Sequence, residues 1–226
     1  MYKKLEKTIG IKFKDWHLLR TAFVHRSYLN EHKESELVHN ERLEFLGDAV
    51  LELVVTEYLY SNFPNPEGDL TNWRSALVKG EMLAKVSKDL EIGTYLYLSR
   101  GEESSGGREK DYLLANALEA LIGVIYLEFG YKKAQKFVQK FLLVHLEDIL
   151  KTGSHIDAKS KLQEIAQEKV GVTPAYNLLH EEGPDHNKIF TMGAHIGDRL
   201  VGKGNGSSKQ LAEQKAAEDA LKRLKW

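Results

Sequence analysis

His39-Asn40-Glu41-Arg42-Leu43-Glu44-Phe45-Leu46-Gly47-Asp48-Ala49-Val50-Leu51 is written as a helix with two opposed faces. At ~100° per residue, Glu41, Glu44, Asp48 and Glu52 fall in one stripe roughly 80° wide, with Leu43, Leu46, Ala49, Val50, Leu53 and Val54 opposite. Like charges stacked at i, i+3 and i+4 repel mildly, so helix stability gives no reason for the stripe. The plain reading of a lone acidic stripe is a solvated face. The apolar content argues against it, because Phe45, Leu51 and Val55 beside the acids leave little of this helix expected to face water. Carboxylates in such a setting need a metal, a cation or a shared proton.

A second segment offers partners. In Asp111-Tyr112-Leu113-Leu114-Ala115-Asn116-Ala117-Leu118-Glu119-Ala120-Leu121-Ile122-Gly123, Asn116 and Glu119 are three apart and share a helix face. Ala120 and Gly123 lie near that face, and these small residues, with Gly47 on the first helix, would let two backbones approach closely. Two helices presenting oxygen ligands to a common gap make a plausible Mg²⁺ site, since hard cations prefer carboxylate and carbonyl oxygen.

Working outward, the pattern from Lys4 to about Leu150 is helical, with apolar residues recurring at three and four. DWHLLRTAFVH, LEFLGDAVLELVVTEYLY, WRSALVKGEMLAKVSKDLEI, YLLANALEALIGVIYLEF and AQKFVQKFLLVHLEDIL are the main expected helices. Phe63–Gly68 and Ser104–Gly107 are rich in breakers and read as loops. Around Lys151-Thr152-Gly153-Ser154 the composition turns small and polar, as in a linker. A helix, AKSKLQEIAQEKV, then precedes three strand-like runs, AYNLLHEE, KIFTMGAHI and RLVGKGNG, and a final helix, KQLAEQKAAEDALKRL. The expectation is an all-α unit over 1–150, a linker over 151–156, and a small α-β-β-β-α (α+β) unit over 157–226.

Composition sets the outer limits. A chain of 226 residues with 42% hydrophobic and 29% charged residues is long enough to bury a core and is not of a disordered type. The absence of cysteine excludes disulfide scaffolds and thiolate zinc sites, and fits a reducing compartment. The start MYKKLEKTIGIKF has no long apolar core, and no apolar run approaches the ~20 residues of a membrane span, so a cytoplasmic protein without membrane attachment is expected. A net charge of −1 gives no hint of nucleic acid, but an acidic metal cluster would offset a basic patch in that count. No Ser-His-Asp or Cys-His arrangement stands out, and His25 and His39 read as structural.

NERLEFLGDAVL closely resembles the nine-residue motif of ribonuclease III endonucleases. LLANALEALIGVIYLEFG is similar to the second acidic helix of that family, and GEESSGGREKD to the loop before it. The resemblance extends over the whole chain and implies a Mg²⁺-dependent homodimer, with Mn²⁺ as a possible substitute, acting on double-stranded RNA and on no small molecule. It implies two sites flanking a central valley, each cutting one strand of precursor ribosomal RNA or structured messages. The products would carry 5′-phosphate and 3′-hydroxyl ends with short 3′ overhangs. Carried over position by position, it makes Glu44, Asp48, Asn116 and Glu119 the metal ligands, Asp48 and Glu119 the catalytic acids, and Glu41 and Glu67 supporting acids. Phe45 matches an aromatic residue that the family inserts into the partner subunit.

The tail resembles a double-stranded RNA-binding domain, which reads A-form shape across two minor grooves and the phosphates between them. By that resemblance Gln163 and Glu164 meet the first minor groove, His186 in Gly183-Pro184-Asp185-His186 the second, and Lys209 at a helix start the phosphates. Lys209 stands alone where the family often has two or three lysines, so modest affinity is expected of the tail. Asn116 is the departure in the nuclease part, where many family members carry aspartate. Its amide keeps the shape and a carbonyl oxygen but brings no charge, so weaker metal binding is expected. Three readings stand open: a natural variant that still cuts, a substitution made to trap an RNA complex, or a member that grips duplex without cutting. Retention of Glu44, Asp48, Glu67 and Glu119 favours the first over the last.

Overall fold

The computed structural model describes residues 2–152, 158–184 and 188–225. They form two compact units, Met1–His155 and Ile156–Trp226. The first is helical: α1 (Lys3–Ile9), α2 (Trp16–Thr21), α3 (Arg26–Glu31), α4 (Glu41–Asn62), α5 (Glu67–Val78), α6 (Gly80–Asp89), α7 (Arg100–Ser104), α8 (Asp111–Phe129), α9 (Tyr131–Phe141) and α10 (Leu146–Thr152). Its extended pairing, among the described residues, is one isolated parallel bridge between Val24 and Tyr97.

α4 carries the stretch quoted above. Asn40 precedes it, buried, with its side-chain amide donating to the Ala22 carbonyl at 3.1 Å. Glu41 and Glu44 in the first turn suit the positive end of the helix dipole. The helix stops at Asn62 because Phe63, preceding Pro64, is forced into extended geometry (φ −133°, ψ 125°). Leu43, Val50, Leu51, Val54, Val55 and Leu59 are buried. α8 is long and apolar enough to cross a membrane, but Leu113, Leu114, Leu118, Leu121, Ile122 and Ile125 are packed into the protein core. Its apolarity therefore belongs to a central helix surrounded by other helices.

The backbones of α4 and α8 touch where both lack a side chain. A Cβ on Gly47 would lie 1.7 Å from the Glu119 carbonyl oxygen, and one on Gly123 would lie 2.4 Å from the Leu43 carbonyl oxygen. This reciprocal contact sets Glu44 and Asp48 across from Glu119.

Three expectations are corrected. WRSALVKGEMLAKVSKDLEI is two helices, broken where Lys79 turns extended (ψ 145°), and α5 starts six residues before Trp73. AQKFVQKFLLVHLEDIL breaks at Leu142 into a 3-10 turn, Leu143–His145, and α10. In one unbroken helix its buried positions, Ala134, Phe137, Val138, Leu142, Leu143, Leu146 and Ile149, would spread over about 240°, too wide for one core-facing side. The break re-aims the second half. Finally, α4 does face water in the single chain, with Phe45 80%, Leu53 58% and Tyr60 80% exposed. Apolar content alone leaves little of this helix expected to face water, whereas packing within the chain covers only one flank.

The second unit has the order α11 (Ala158–Val170), β1 (Ala175–Glu182), β2 (Ile189–Ile196), β3 (Arg199–Gly206), α12 (Lys209–Leu224), with an antiparallel sheet in the order β1-β2-β3. Gly202, Gly204 and Gly206 alternate along β3, and a Cβ on any of them would strike the α12 backbone at 2.2–2.7 Å. Ala212, Ala216 and Ala220 on α12 are fully buried against that ridge, so the helix lies almost flush on the strand. Of the expected linker, Lys151 and Thr152 finish α10, and the rest lies outside the described residues.

The helix crossing yields a stability test. Gly47→Ala must push α4 off α8 and is expected to cost about 3 kcal/mol in urea unfolding. Gly68→Ala, in the first turn of α5 with open space around it, should leave the midpoint unchanged. Equal midpoints for the two variants would refute the close crossing.

Candidate metal centre and nucleic-acid interface

Glu44 and Asp48 on α4, and Asn116 and Glu119 on α8, come together at the crossing. Burial, and then Asp48 and Glu44, push the Glu119 carboxyl up to about 8 from an ordinary 4.5. Glu44 is also raised, first by burial, then by Glu41 and Asp48, and is partly relieved by a hydrogen bond from the Asn116 amide. Every charge acting on Glu119 is negative. Such a set holds itself together poorly: at a few ångströms, like charges repel by several kcal/mol in a partly buried setting. Among the described residues, no trio of His, Asp and Glu side chains is already gathered tightly enough to hold an ion.

The donor chemistry nonetheless fits a hard divalent cation. Three carboxylates and one amide carbonyl are all oxygen donors, and the raised carboxyls of Glu44 and Glu119 would be relieved by positive charge. The remaining acid of the α4 stripe, Glu52, is taken up by Arg74 at 3.1 Å. Glu41 stands exposed at the edge of the cluster, 3.5 Å from the Arg26 guanidinium and 3.5 Å from His39 Nδ1. Arg26 is thus a cation beside the acids that the sequence reading did not single out. It opens α3, directly after the His25 that caps that helix. His25 Nδ1 lies 2.8 Å from Ser27 Oγ and caps α3.

Glu67 is elsewhere. It opens α5, accepts from Thr71 Oγ1 at 2.9 Å, and lines a groove of about 640 Å³ with Tyr60, Phe63, Leu70 and Arg74. At a rise of ~1.5 Å per residue, the α4 helix alone puts about 20 Å between Asp48 and that end of the chain. Phe45 projects from α4 between the acids into solvent.

In the second unit, Gln163 and Glu164 are exposed on α11, and Lys209 is exposed in the first turn of α12. Ser208 caps α12 by accepting from the Leu211 N–H at 3.2 Å. Gln163, Ser208, Gln210 and Gln214 line one concavity of about 600 Å³ with Lys159 and Tyr176, so the first helix and the start of the last share one polar surface. Lys159 is held there by Glu213 at 2.6 Å and lies over the Tyr176 ring. Lys209 leans over the Phe190 ring, 5.8 Å from its centre. Gly183 and Pro184 begin the β1–β2 turn, while His186 lies outside the described residues.

Comparison with known proteins agrees with both halves. A family model described as Ribonuclease-III-like matches residues 15–146, and one described as a double-stranded RNA binding motif matches residues 158–224. The Ribonuclease 3 of Pelotomaculum thermopropionicum is 46% identical over 218 residues, spanning 96% of this chain and 90% of that protein. That of Enterococcus faecalis is 45% identical, spanning 98% and 96%. The solved nuclease domain of ribonuclease III from Campylobacter jejuni is 43% identical and superposes with a TM-score of 0.58, covering 62% of this chain and 95% of that one.

The acid cluster predicts a pH signature. Because the folded Glu119 carboxyl is raised to about 8, its contribution to stability is fully present below about 4.5 and is lost as pH rises to about 8. In chelator, the urea midpoint should fall between about pH 5 and about pH 8 more in the wild type than in Glu119→Gln. Parallel pH curves for the two proteins would mean that Glu119 does not titrate in a repulsive site.

Proposed function

The chain belongs to the ribonuclease III family, and from that premise we propose that Glu44, Asp48, Asn116 and Glu119 hold its divalent cation, Mg²⁺, at the α4–α8 crossing. The protein is an endoribonuclease that cuts double-stranded RNA as a homodimer, leaving 5′-phosphate and 3′-hydroxyl ends. The observation that carries the ligand assignment is the α4–α8 crossing at Gly47 and Gly123, which brings Glu44 and Asp48 across from Glu119; the upward shift of the Glu119 carboxyl, caused by burial, Asp48 and Glu44, agrees with it. When bound, a divalent cation supplies Lewis acidity to a phosphoryl oxygen and to water, and neutralises charge building at phosphorus. Mn²⁺ satisfies the same oxygen donors.

The chain's own residues do the rest. Gly47 and Gly123 hold the two helices close enough for Asp48 and Glu119 to face one ion. The Asn116 amide donates to Glu44, orienting that carboxylate and partly offsetting the rise that burial and Glu41 impose. Glu41 keeps Arg26 at the rim, where a guanidinium can meet RNA phosphate. Phe45, with Leu53, offers the apolar face through which the partner subunit docks. Glu67, about 20 Å along α4 from its own Asp48, can support an acid cluster only across that dimer. Gln163, Glu164 and Lys209, with His186, grip the duplex, and Gln163 and the start of α12 share one surface for it. The zero-cysteine chain and the buried α8 fit action in the cytoplasm.

Asn116 retains metal binding at lower affinity, because it contributes a neutral oxygen where a carboxylate would add charge. A cleavage time course on a perfect duplex, with Mg²⁺ titrated upward, tests this. The wild type is expected to cut, and Asn116→Asp to reach half-maximal rate at roughly tenfold lower Mg²⁺. Glu119→Gln is expected to lose at least about 1,000-fold in rate while still binding duplex. Duplex bound but whole at every Mg²⁺ level, with cutting restored by Asn116→Asp, would instead mark a binding-only form.

The dimer face is tested separately. Phe45→Glu should shift the protein to monomer in sedimentation equilibrium and abolish double-strand cutting. A dimer that persists unchanged removes Phe45 from the interface.

A further inference from the structure

The nuclease unit carries a second charged surface, at the opposite end of α4 and α8 from the acid cluster. The segments 1–16 and 131–141 contain nine lysines against two acids, in a chain whose overall balance is −1. On α9, Lys132, Lys136 and Lys140 recur every four residues on the exposed face, and the helix has no acidic residue. The fold joins this stripe to the N-terminal segment. Lys140 Nζ reaches the Thr8 carbonyl oxygen, at the end of α1, at 3.5 Å. Phe13 packs edge-on against Phe129 at 5.7 Å, and the Lys14 N–H donates to Glu128 at 2.6 Å.

The nearby acids keep their charge but direct their hydrogen bonds to groups other than the lysine ammoniums. Glu6 accepts from the Phe13 N–H, Asp15 caps α2, and Glu57 accepts from Tyr131 and Gln135. Among the described residues, Lys3, Lys7, Lys12, Lys14, Lys132, Lys136 and Lys140 form no ion pair with a carboxylate. Between α1 and the following turn runs a groove of about 670 Å³ lined by Lys3, Glu6, Lys7, Lys12, Phe13 and Trp16, three lysines against one carboxylate. The Trp16 ring stacks on Tyr2 at 6.0 Å and remains 47% exposed.

Unneutralised lysines beside an exposed indole are the combination by which proteins hold single-stranded nucleic acid: cations track the backbone while an aromatic ring accepts a base. We propose that this surface binds the unpaired RNA flanking the duplex that is cut. Structured substrates then gain affinity from their single-stranded ends as well as from the helix. None of these lysines, nor Trp16, belongs to the acid cluster, so the surface adds binding without entering the chemistry, and it favours hairpins embedded in longer transcripts over isolated duplexes.

The test compares a hairpin with and without an unpaired tail of about 16 nucleotides, bound by the full-length dimer in chelator so that no RNA is cut. In the wild type the tail should strengthen binding about tenfold at low salt. Lys132→Gln/Lys136→Gln/Lys140→Gln should remove that gain and lower the salt slope for the tailed RNA by about 2, leaving the tailless hairpin unchanged. Trp16→Ala should reduce the gain with little change in salt slope, which separates stacking from charge. A tail that adds nothing, a gain that survives in the triple variant, or equal losses on both RNAs overturns the proposal. Anionic vesicles bound by the wild type but not by the triple variant, with RNA affinities unchanged, would reassign the surface to a lipid headgroup and overturn it equally. Normal affinity for the tailless hairpin in every variant keeps these outcomes distinct from any failure of the nuclease reading.

Discussion

The contact between Gly47 and the Glu119 carbonyl, mirrored by Gly123 and the Leu43 carbonyl, is the constraint on which the nuclease unit turns. Ordinary helix pairs keep their axes 8–10 Å apart because side chains stand between them. Removing a side chain from each helix at the crossing lets the backbones meet, and the residues beside those glycines are then the acids. Asp48 follows Gly47, Glu44 lies one turn before it, and Glu119 supplies the very carbonyl that Gly47 meets. Packing and chemistry therefore share the same few residues, and neither can be altered without the other.

That closeness carries an electrostatic cost. Carboxylates brought together in a partly buried place raise one another's affinity for protons, and Glu119 shows this most strongly because it is the most enclosed. As bare charges the set is unfavourable, and a divalent cation among its oxygens, as proposed, would relieve it. Asn116 moderates the conflict. Its amide donates to Glu44 where an aspartate would add a further negative charge, easing the fold while weakening the pull on a cation. The acids that stand clear of the crossing have taken side-chain partners instead: Glu52 has Arg74, and Glu41 has Arg26.

The second unit solves a similar packing problem with a different pattern. A three-stranded sheet is small, and its core contains only a few apolar side chains such as Leu162 and Val201. Alternate glycines on β3 and alanines on α12 let strand and helix lie nearly flush, so α12 seals the sheet without bulky residues. The opposite consequence follows for the outer residues. With little core to fill, Gln163 and Gln210 are left exposed at the surface, lining one concavity.

The sequence by itself determined the two-part order, the central helices and the acid set, because helical periodicity and the spacing of Glu41, Glu44, Asp48, Asn116 and Glu119 are local properties. The α-β-β-β-α order and the edges of its strands were legible for the same reason. Only the tertiary structure decided what each face meets. Which apolar residues of α4 stay exposed, why Lys79 and Leu142 interrupt continuous helical patterns, and how Arg26 reaches Glu41 all depend on neighbours distant in sequence. Glu67 shows the limit most clearly, since its motif named it as an accessory acid while the length of α4 carries it away from the cluster of its own chain. Periodicity reports the side on which a helix is apolar. It is silent about which helix, strand or second subunit covers that side, because that choice is made by long-range packing.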